Sequence, residues 1–324
     1  MDPQNLTTTV TEFVLLGLTQ IHQLKYFLSI FFLIVYIATW LGNFIIIIIT
    51  VIADHRLHTP MYFLLANLPF MDVSESSVSA PNLLSGLLSK RKTVPFNQCI
   101  LQMFFFHLIG SAIVFFLVVM AIDRYVAICK PLRYLTILNR GVCMGLVALS
   151  WLGGLAHSAV QIGLLIQLPF CGPNILDNFY CDVPQVIKLA CADTHVVELQ
   201  MVFNGGVLLI IQLICLLISY IIILVKIRTH VTEGKRKALS TCGAQIIMVC
   251  LLFIPSIFIY ARPFKKFTLD KVASIFFTVI SPMLNPIVYT LRNTEMKKAI
   301  RRLMNRILFS GRELKASFVF DCFD

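Results

Sequence analysis

A chain of 324 residues in which 58% are apolar and 13% charged cannot clothe the surface of a soluble globular protein, where roughly 25% charged residues is usual. A mean hydropathy of +0.85 also excludes intrinsic disorder, coiled coil, collagen and disulfide-framework miniprotein, and leaves a polytopic membrane protein. The formal charge of +11 then reads as an orienting signal beside apolar spans, with the lipid bilayer as partner and no nucleic acid.

In chain order, residues 1–24 read as an extracellular tail carrying the glycosylation sequon Asn5-Leu6-Thr7. No basic segment and no apolar core precede Tyr26, so no cleavable signal peptide is expected, and the first helix directs insertion. A membrane-crossing helix needs about 20 mostly apolar residues. Uncharged stretches of 28, 30, 36, 27, 24 and 20 residues follow Lys25, Lys92, Arg140, Glu198, Lys237 and Lys271. A further span lies between Arg56 and Lys90, interrupted by Asp72 and Glu75. The sequence thus predicts an all-α membrane protein, a seven-transmembrane helix bundle over residues 25–291. Counting Lys and Arg between spans gives 18 on one side and nine on the other, which puts the N-terminus outside. Seven helices cannot be halved, which argues against the inverted repeats of transporters.

Ten cysteines are present. Cys99, Cys171, Cys181 and Cys191 fall on the outer side, an even number in an oxidising space, with three pairings open. The other six read as buried apolar residues or reduced thiols. Over 292–309, Met296, Ile300, Leu303, Met304 and Ile307 recur at helical spacing between Lys297, Lys298, Arg301, Arg302 and Arg306. That is a basic amphipathic helix for the inner leaflet. Residues 310–324 read as a flexible tail.

An ionisable residue within a span is a functional-site candidate by default. Asp72 is the strongest, with Asn43 and Asn285 as its expected partners in a polar intramembrane network. Glu75 lies one turn further out. Asp123-Arg124-Tyr125 closes the third span, where an arginine held by the adjacent carboxylate in one state and released in another makes a bistable switch. Pro286, within Asn285-Pro286-Ile287-Val288-Tyr289, and Pro255 each remove a backbone hydrogen bond from a helix.

Gly42-Asn43, Leu57-His58-Thr59-Pro60-Met61-Tyr62-Phe63, Met120 to Cys129, Ser219-Tyr220, Lys237-Ala238-Leu239-Ser240-Thr241-Cys242 and Pro282 to Tyr289 together resemble the ordered signature of vertebrate olfactory receptors of the tetrapod-type class, within the rhodopsin-like G-protein-coupled receptors. The resemblance implies disulfides Cys99–Cys181 and Cys171–Cys191. It also implies coupling through Asp123, Arg124, Tyr125, Tyr220, Lys237, Ser240, Thr241, Cys242, Asn285, Pro286 and Tyr289 to an olfactory-type stimulatory G protein. A multi-pass place in the cell membrane, in the cilia of olfactory neurons, and trafficking chaperones as partners follow from the same resemblance. The chain departs from the family pattern at Ile122, Gln245, Ile254 and Phe277. Ile113 replaces a common glutamate, which argues against a sodium ion at Asp72.

Ligand specificity is expected in the outer half of the bundle. Helical counting from Arg124 places Phe106, His107, Gly110 and Ser111 on a cavity. Counting from Tyr220 adds Asn204 and Leu208; from Pro255, Phe253, Ser256, Ile257 and Tyr260; and from Pro286, Ile275 and Thr278. This lining suits a small, neutral, hydrophobic volatile. A cationic amine is disfavoured, because Phe106 stands where amine receptors carry an aspartate. No His-Glu-x-x-His, phosphate-binding loop or metal-ligand cluster is present in the sequence, so no enzyme chemistry, metal or cofactor is expected. A transporter or channel, or a receptor for a metabolite in another tissue, are the alternatives.

Overall fold

The structure, a computed structural model, describes residues 10–43, 52, 59–89, 92–228, 233–261, 269–292 and 296–305. Of residues 226–228, 233–242, 244, 245 and 289–292 it describes the backbone alone. Within these bounds the long helices are α1 (His22–Trp40), α2 (Pro60–Leu88), α3 (Phe96–Cys129) and α4 (Arg140–Leu165). Next come α5, which runs from His195 to Arg228 through a π-helical stretch Val202–Val207, and α6 (Glu233–Tyr260). The last long helix is α7, from Leu269 to Arg292 through a second π-helical stretch, Phe276–Ile280, and a shorter α8 covers residues 296–305. Five of these helices are long and apolar enough to cross a membrane: α1, α3, α4, α5 and α7. In α2, Asp72, Glu75 and several serines dilute the apolar run. In α6 the apolar part is confined to Ile246–Tyr260.

Large apolar side chains on α1, α4 and α5 point outward, among them Phe27, Ile30, Leu149, Leu152, Ile221 and Val225. Lipid tails are as apolar as these residues, so close packing and interhelical hydrogen bonds must join the helices instead. The α3–α4 contact shows how. Ser150, Gly154 and Ser158 recur every four residues and are buried. A Cβ at Gly154 would lie 2.4 Å from the Leu108 carbonyl oxygen, so only glycine permits this approach. One turn on, the Ser158 hydroxyl donates to the Phe104 carbonyl at 2.6 Å. The start of α4 is capped by Asn139, whose side chain accepts from the Val142 N–H at 3.0 Å.

The α1–α7 contact follows from a proline. Pro286 has no N–H to give the Pro282 carbonyl one turn earlier. The Asn43 amide donates to that carbonyl instead, at 2.8 Å. Gly42 brings α1 near enough, since a Cβ there would lie 3.0 Å from Pro286 Cγ. The pair Gly42-Asn43 therefore repairs the helix that Pro286 interrupts.

One end of the bundle is covered by a three-stranded sheet of order β2-β1-β3. Strand β1 (Glu12–Leu15) pairs antiparallel with β2 (Lys92–Pro95) and parallel with β3 (Ile175–Leu176). Phe13 is fully buried beneath it, with its ring 5.7 Å from Phe96 and 6.2 Å from Phe170. The segment expected as an extracellular tail thus contributes a strand to the cover. Two disulfides, Cys99–Cys181 and Cys171–Cys191, fasten the α4–α5 connection, the first of them to the start of α3. Lys271 adds an ion pair to Asp177 at 2.6 Å and a hydrogen bond to the Gly17 carbonyl at 3.1 Å.

Candidate functional site

Residues of α2, α3, α4, α5, α6 and α7 together line a cavity of about 560 Å³. Phe106, His107, Gly110, Ser111, Asn204, Leu208, Ser256 and Tyr260 line it. The other four residues placed there by helical counting, Phe253, Ile257, Ile275 and Thr278, do not. On α6 the cavity face is Leu252, Ser256 and Tyr260, spaced by four residues. Phe253 and Ile257 lie one residue further round, about 100° away, and Phe253 is fully buried in the core. On α7 the π-helical stretch Phe276–Ile280 contains Thr278 and separates Ile275 from Pro286, so a count at 3.6 residues per turn loses phase. Phe277 lines the cavity, while the Thr278 hydroxyl donates to the Ser274 carbonyl at 2.7 Å.

Glu75 of α2, marked in the sequence as an ionisable residue within a span, lines the cavity. Other polar lining residues escape sequence reasoning: His157 and Gln161 of α4, and Gln200 and Gln212 of α5. Helix α4 carries no motif from which to count, and only its buried polar side chains mark it. The His157 ring centroid lies 6.0 Å from that of His107. Among the described residues, His107 Nε2, Gln161 Nε2 and both amide atoms of Gln200 are buried without a hydrogen-bond partner.

Asp182, next to the Cys99–Cys181 bridge, does not itself line the cavity but bonds the lining residue Tyr260 and so forms its roof. Its carboxylate accepts from the Tyr180 hydroxyl at 3.1 Å, the Tyr260 hydroxyl at 3.2 Å and the Val183 N–H at 2.9 Å. Burial pushes the Asp182 carboxyl up to about 6, against the opposing pull of those hydrogen bonds. His107 Nε2 stands 3.8 Å from Asp182 Oδ1, beyond hydrogen-bonding reach. Gln102 joins α2, α3 and the roof, donating to the Val78 carbonyl at 3.1 Å and accepting from the Cys181 N–H at 3.2 Å. No motif signals either tie.

Towards the middle of the bundle, Asn285 donates to Asp72 at 2.6 Å. Asn43 bonds the α7 backbone at Pro282 rather than either of those side chains. Asn43 Oδ1 and Asp72 Oδ2 are buried and meet no donor among the described residues. Ile113, where a glutamate is common, is buried in the apolar core.

At the end of α3 remote from the sheet, Arg124 pairs with Asp123 at 2.8 Å. The Tyr134 hydroxyl, on the α3–α4 connection, donates to the same carboxylate at 2.6 Å. Burial and the Asp123 charge both raise the Tyr134 pKa above its ordinary value, which keeps the phenol a donor. Tyr125 is exposed and Tyr220 is buried in the core. The side chains of Lys237, Ser240, Thr241, Cys242, Gln245 and Tyr289 lie outside the described residues, as do Asn5 and residues 310–324.

A membrane helix bundle with a roofed cavity towards one end and an ion-paired latch at the other has the build of a ligand-operated receptor. The comparisons make that class specific. The family model for olfactory receptors matches residues 32–307. Human olfactory receptor 4D1 is 55% identical over 303 residues, covering 94% of this chain and 97% of the relative. Mouse olfactory receptor 4M1 is 50% identical over 311 residues, covering 95% and 99%. Human olfactory receptor 4N5 is 51% identical over 309 residues, covering 95% and 100%. The chain belongs to the olfactory receptor family. It is a seven-helix, multi-pass plasma-membrane receptor of the rhodopsin-like, G-protein-coupled class and not an enzyme.

Proposed function

We propose that the cavity receives a small, neutral, largely apolar volatile, and that its capture releases Arg124 from Asp123 towards a stimulatory G protein, raising cAMP. The observation that carries this reading is that one helix serves both places. His107, Gly110 and Ser111 line the cavity, and Asp123 and Arg124 form the latch, all on α3 (Phe96–Cys129). From Ser111 to Arg124 the helix spans roughly 20 Å at ~1.5 Å per residue. A shift of α3 under a ligand therefore reaches the latch without an intermediary. Burying roughly 200 Å² of apolar ligand surface supplies about 5 kcal/mol. A hydrogen bond adds about 1 kcal/mol, so apolar contact drives binding and polar contact orients the ligand.

The sheet, the disulfides and the roof then face outward, in agreement with the basic-residue asymmetry and the Asn5 sequon. On this reading α8 lies on the inner leaflet; Met296 and Ala299 are buried while Lys297, Lys298 and Arg301 are exposed. The test is expression with a cAMP reporter against an odorant panel, with Arg124→Ala as control. Odorant-dependent cAMP that vanishes in Arg124→Ala is expected. A ligand signal that survives that substitution counts against the latch, and ion flux without cAMP counts against the receptor reading.

A further inference from the structure

We infer that the ligand's polar group is a neutral carbonyl oxygen, held on the α4–α5 wall of the cavity by Gln161 and Gln200; this rests on the odorant-receptor reading above. On that wall His157 and Gln161 of α4 and Gln200 and Asn204 of α5 line the cavity. Gln161 follows His157 by four residues on the regular helix α4, one turn along the same face. The two glutamines are open. Gln161 Nε2 and both amide atoms of Gln200 are buried with no partner among the described residues, although both side chains line the cavity. Gln161 is only 1% exposed, and a buried amide group left unpaired is destabilising. A ligand that bonds it recovers that loss on binding.

The open groups also specify the chemistry. The amide N–H groups of Gln161 and Gln200 are two open donors on one wall, against the single open acceptor Gln200 Oε1, and an acceptor oxygen satisfies both donors. Among the described residues neither Lys nor Arg lines the cavity, and the one carboxyl that does is Glu75 on α2. A carboxylate ligand therefore meets no counter-charge and bears the full cost of desolvation. An aldehyde, ketone or ester presents the acceptor without the charge. Its hydrocarbon portion is left to Val114, Phe115, Leu209, Leu252 and Phe277.

The test is a matched straight-chain series, octanal, octanol, octylamine, octanoic acid and octane with shorter and longer homologues. It is run through the cAMP reporter on the full-length receptor, Gln161→Leu, Gln200→Leu and Gln161→Glu, with surface level read by flow cytometry. The aldehydes are expected to be the strongest agonists. Each leucine variant is expected to lose about tenfold in aldehyde potency at unchanged surface level, the loss of one or two hydrogen bonds. Gln161→Glu, which keeps size and polarity but removes the amide donor, is expected to lose as much. Aldehyde potency unmoved in both leucine variants, potency kept by Gln161→Glu, or agonism confined to the amine or acid series overturns the carbonyl anchor and leaves odorant recognition standing. Silence of the wild-type receptor across the series while other odorants of the panel raise cAMP overturns the carbonyl anchor alone; silence to the whole panel overturns both.

Discussion

The cavity end and the latch end treat their polar groups in opposite ways. At the latch, Asp123 is closed by Arg124 at 2.8 Å and Tyr134 at 2.6 Å. In the cavity, His107 Nε2, Gln161 Nε2 and the Gln200 amide are buried and open. A satisfied buried network holds one arrangement, whereas an unsatisfied one is stabilised by whatever completes it. The contrast assigns holding to one end of α3 and waiting to the other. Even the latch keeps one open group, Arg124 Nε, on the residue that the proposed mechanism hands to the G protein.

The largest expected effect lies at the closed end. Arg124→Ala removes the partner of Asp123, and odorant-evoked cAMP is expected to fall to background with surface expression retained. Next comes the seam that makes α3 and α4 one wall. Gly154→Val puts its side chain where the Leu108 carbonyl oxygen already lies 2.4 Å from the Cβ position. Overpacking of this kind costs about 3 kcal/mol, and thermal unfolding of the purified receptor is expected to show a lower Tm with less protein at the cell surface. Asn43→Leu strips the Pro282 carbonyl of its donor. A buried acceptor left open costs about 1–3 kcal/mol, so Tm falls here too, while odorant selectivity stays the same because Asn43 does not line the cavity.

The smallest effect is in the roof and depends on pH. The Asp182 carboxyl is raised from 3.8 to about 6 in the folded chain, so the fold binds this proton more tightly than the unfolded chain does. Its contribution to stability is complete below about 4 and is lost as pH rises through about 6. Tm measured across that window is expected to decline with pH from this group, and Asp182→Asn is expected to abolish that component. An identical pH dependence in Asp182→Asn would place the titration elsewhere.

Much of this was legible in the chain. Gaps between charges located the long helices, because a charged side chain within a span is costly. Asp72, Asn285, Asp123 and Arg124 stood out for the same reason, and the structure brings each pair together. Counting turns worked for Phe106, His107, Gly110 and Ser111 on α3 and for Asn204 and Leu208 on α5. On α6 it placed Ser256 and Tyr260 on the cavity but took in Phe253 and Ile257, one residue round, and on α7 it missed the lining residue Phe277. Helix α4 was silent because glycine and serine that fit against α3 look the same in sequence as glycine and serine that fit nothing. The β1 strand and the Asp182 roof rest on partners far along the chain, Lys92–Pro95 for the one and Tyr260 for the other, and four-residue strands carry too short a pattern to read.

The division of labour along α3 is tested most directly by the cAMP concentration–response of Ser111→Leu beside that of Arg124→Ala, at matched surface level. Ser111 lines the cavity, and a leucine there occupies ligand space. The account predicts that Ser111→Leu moves the curve to higher odorant concentration with its maximum kept, and that Arg124→Ala removes the maximum. An unmoved curve for Ser111→Leu, or a full maximum for Arg124→Ala, would contradict it.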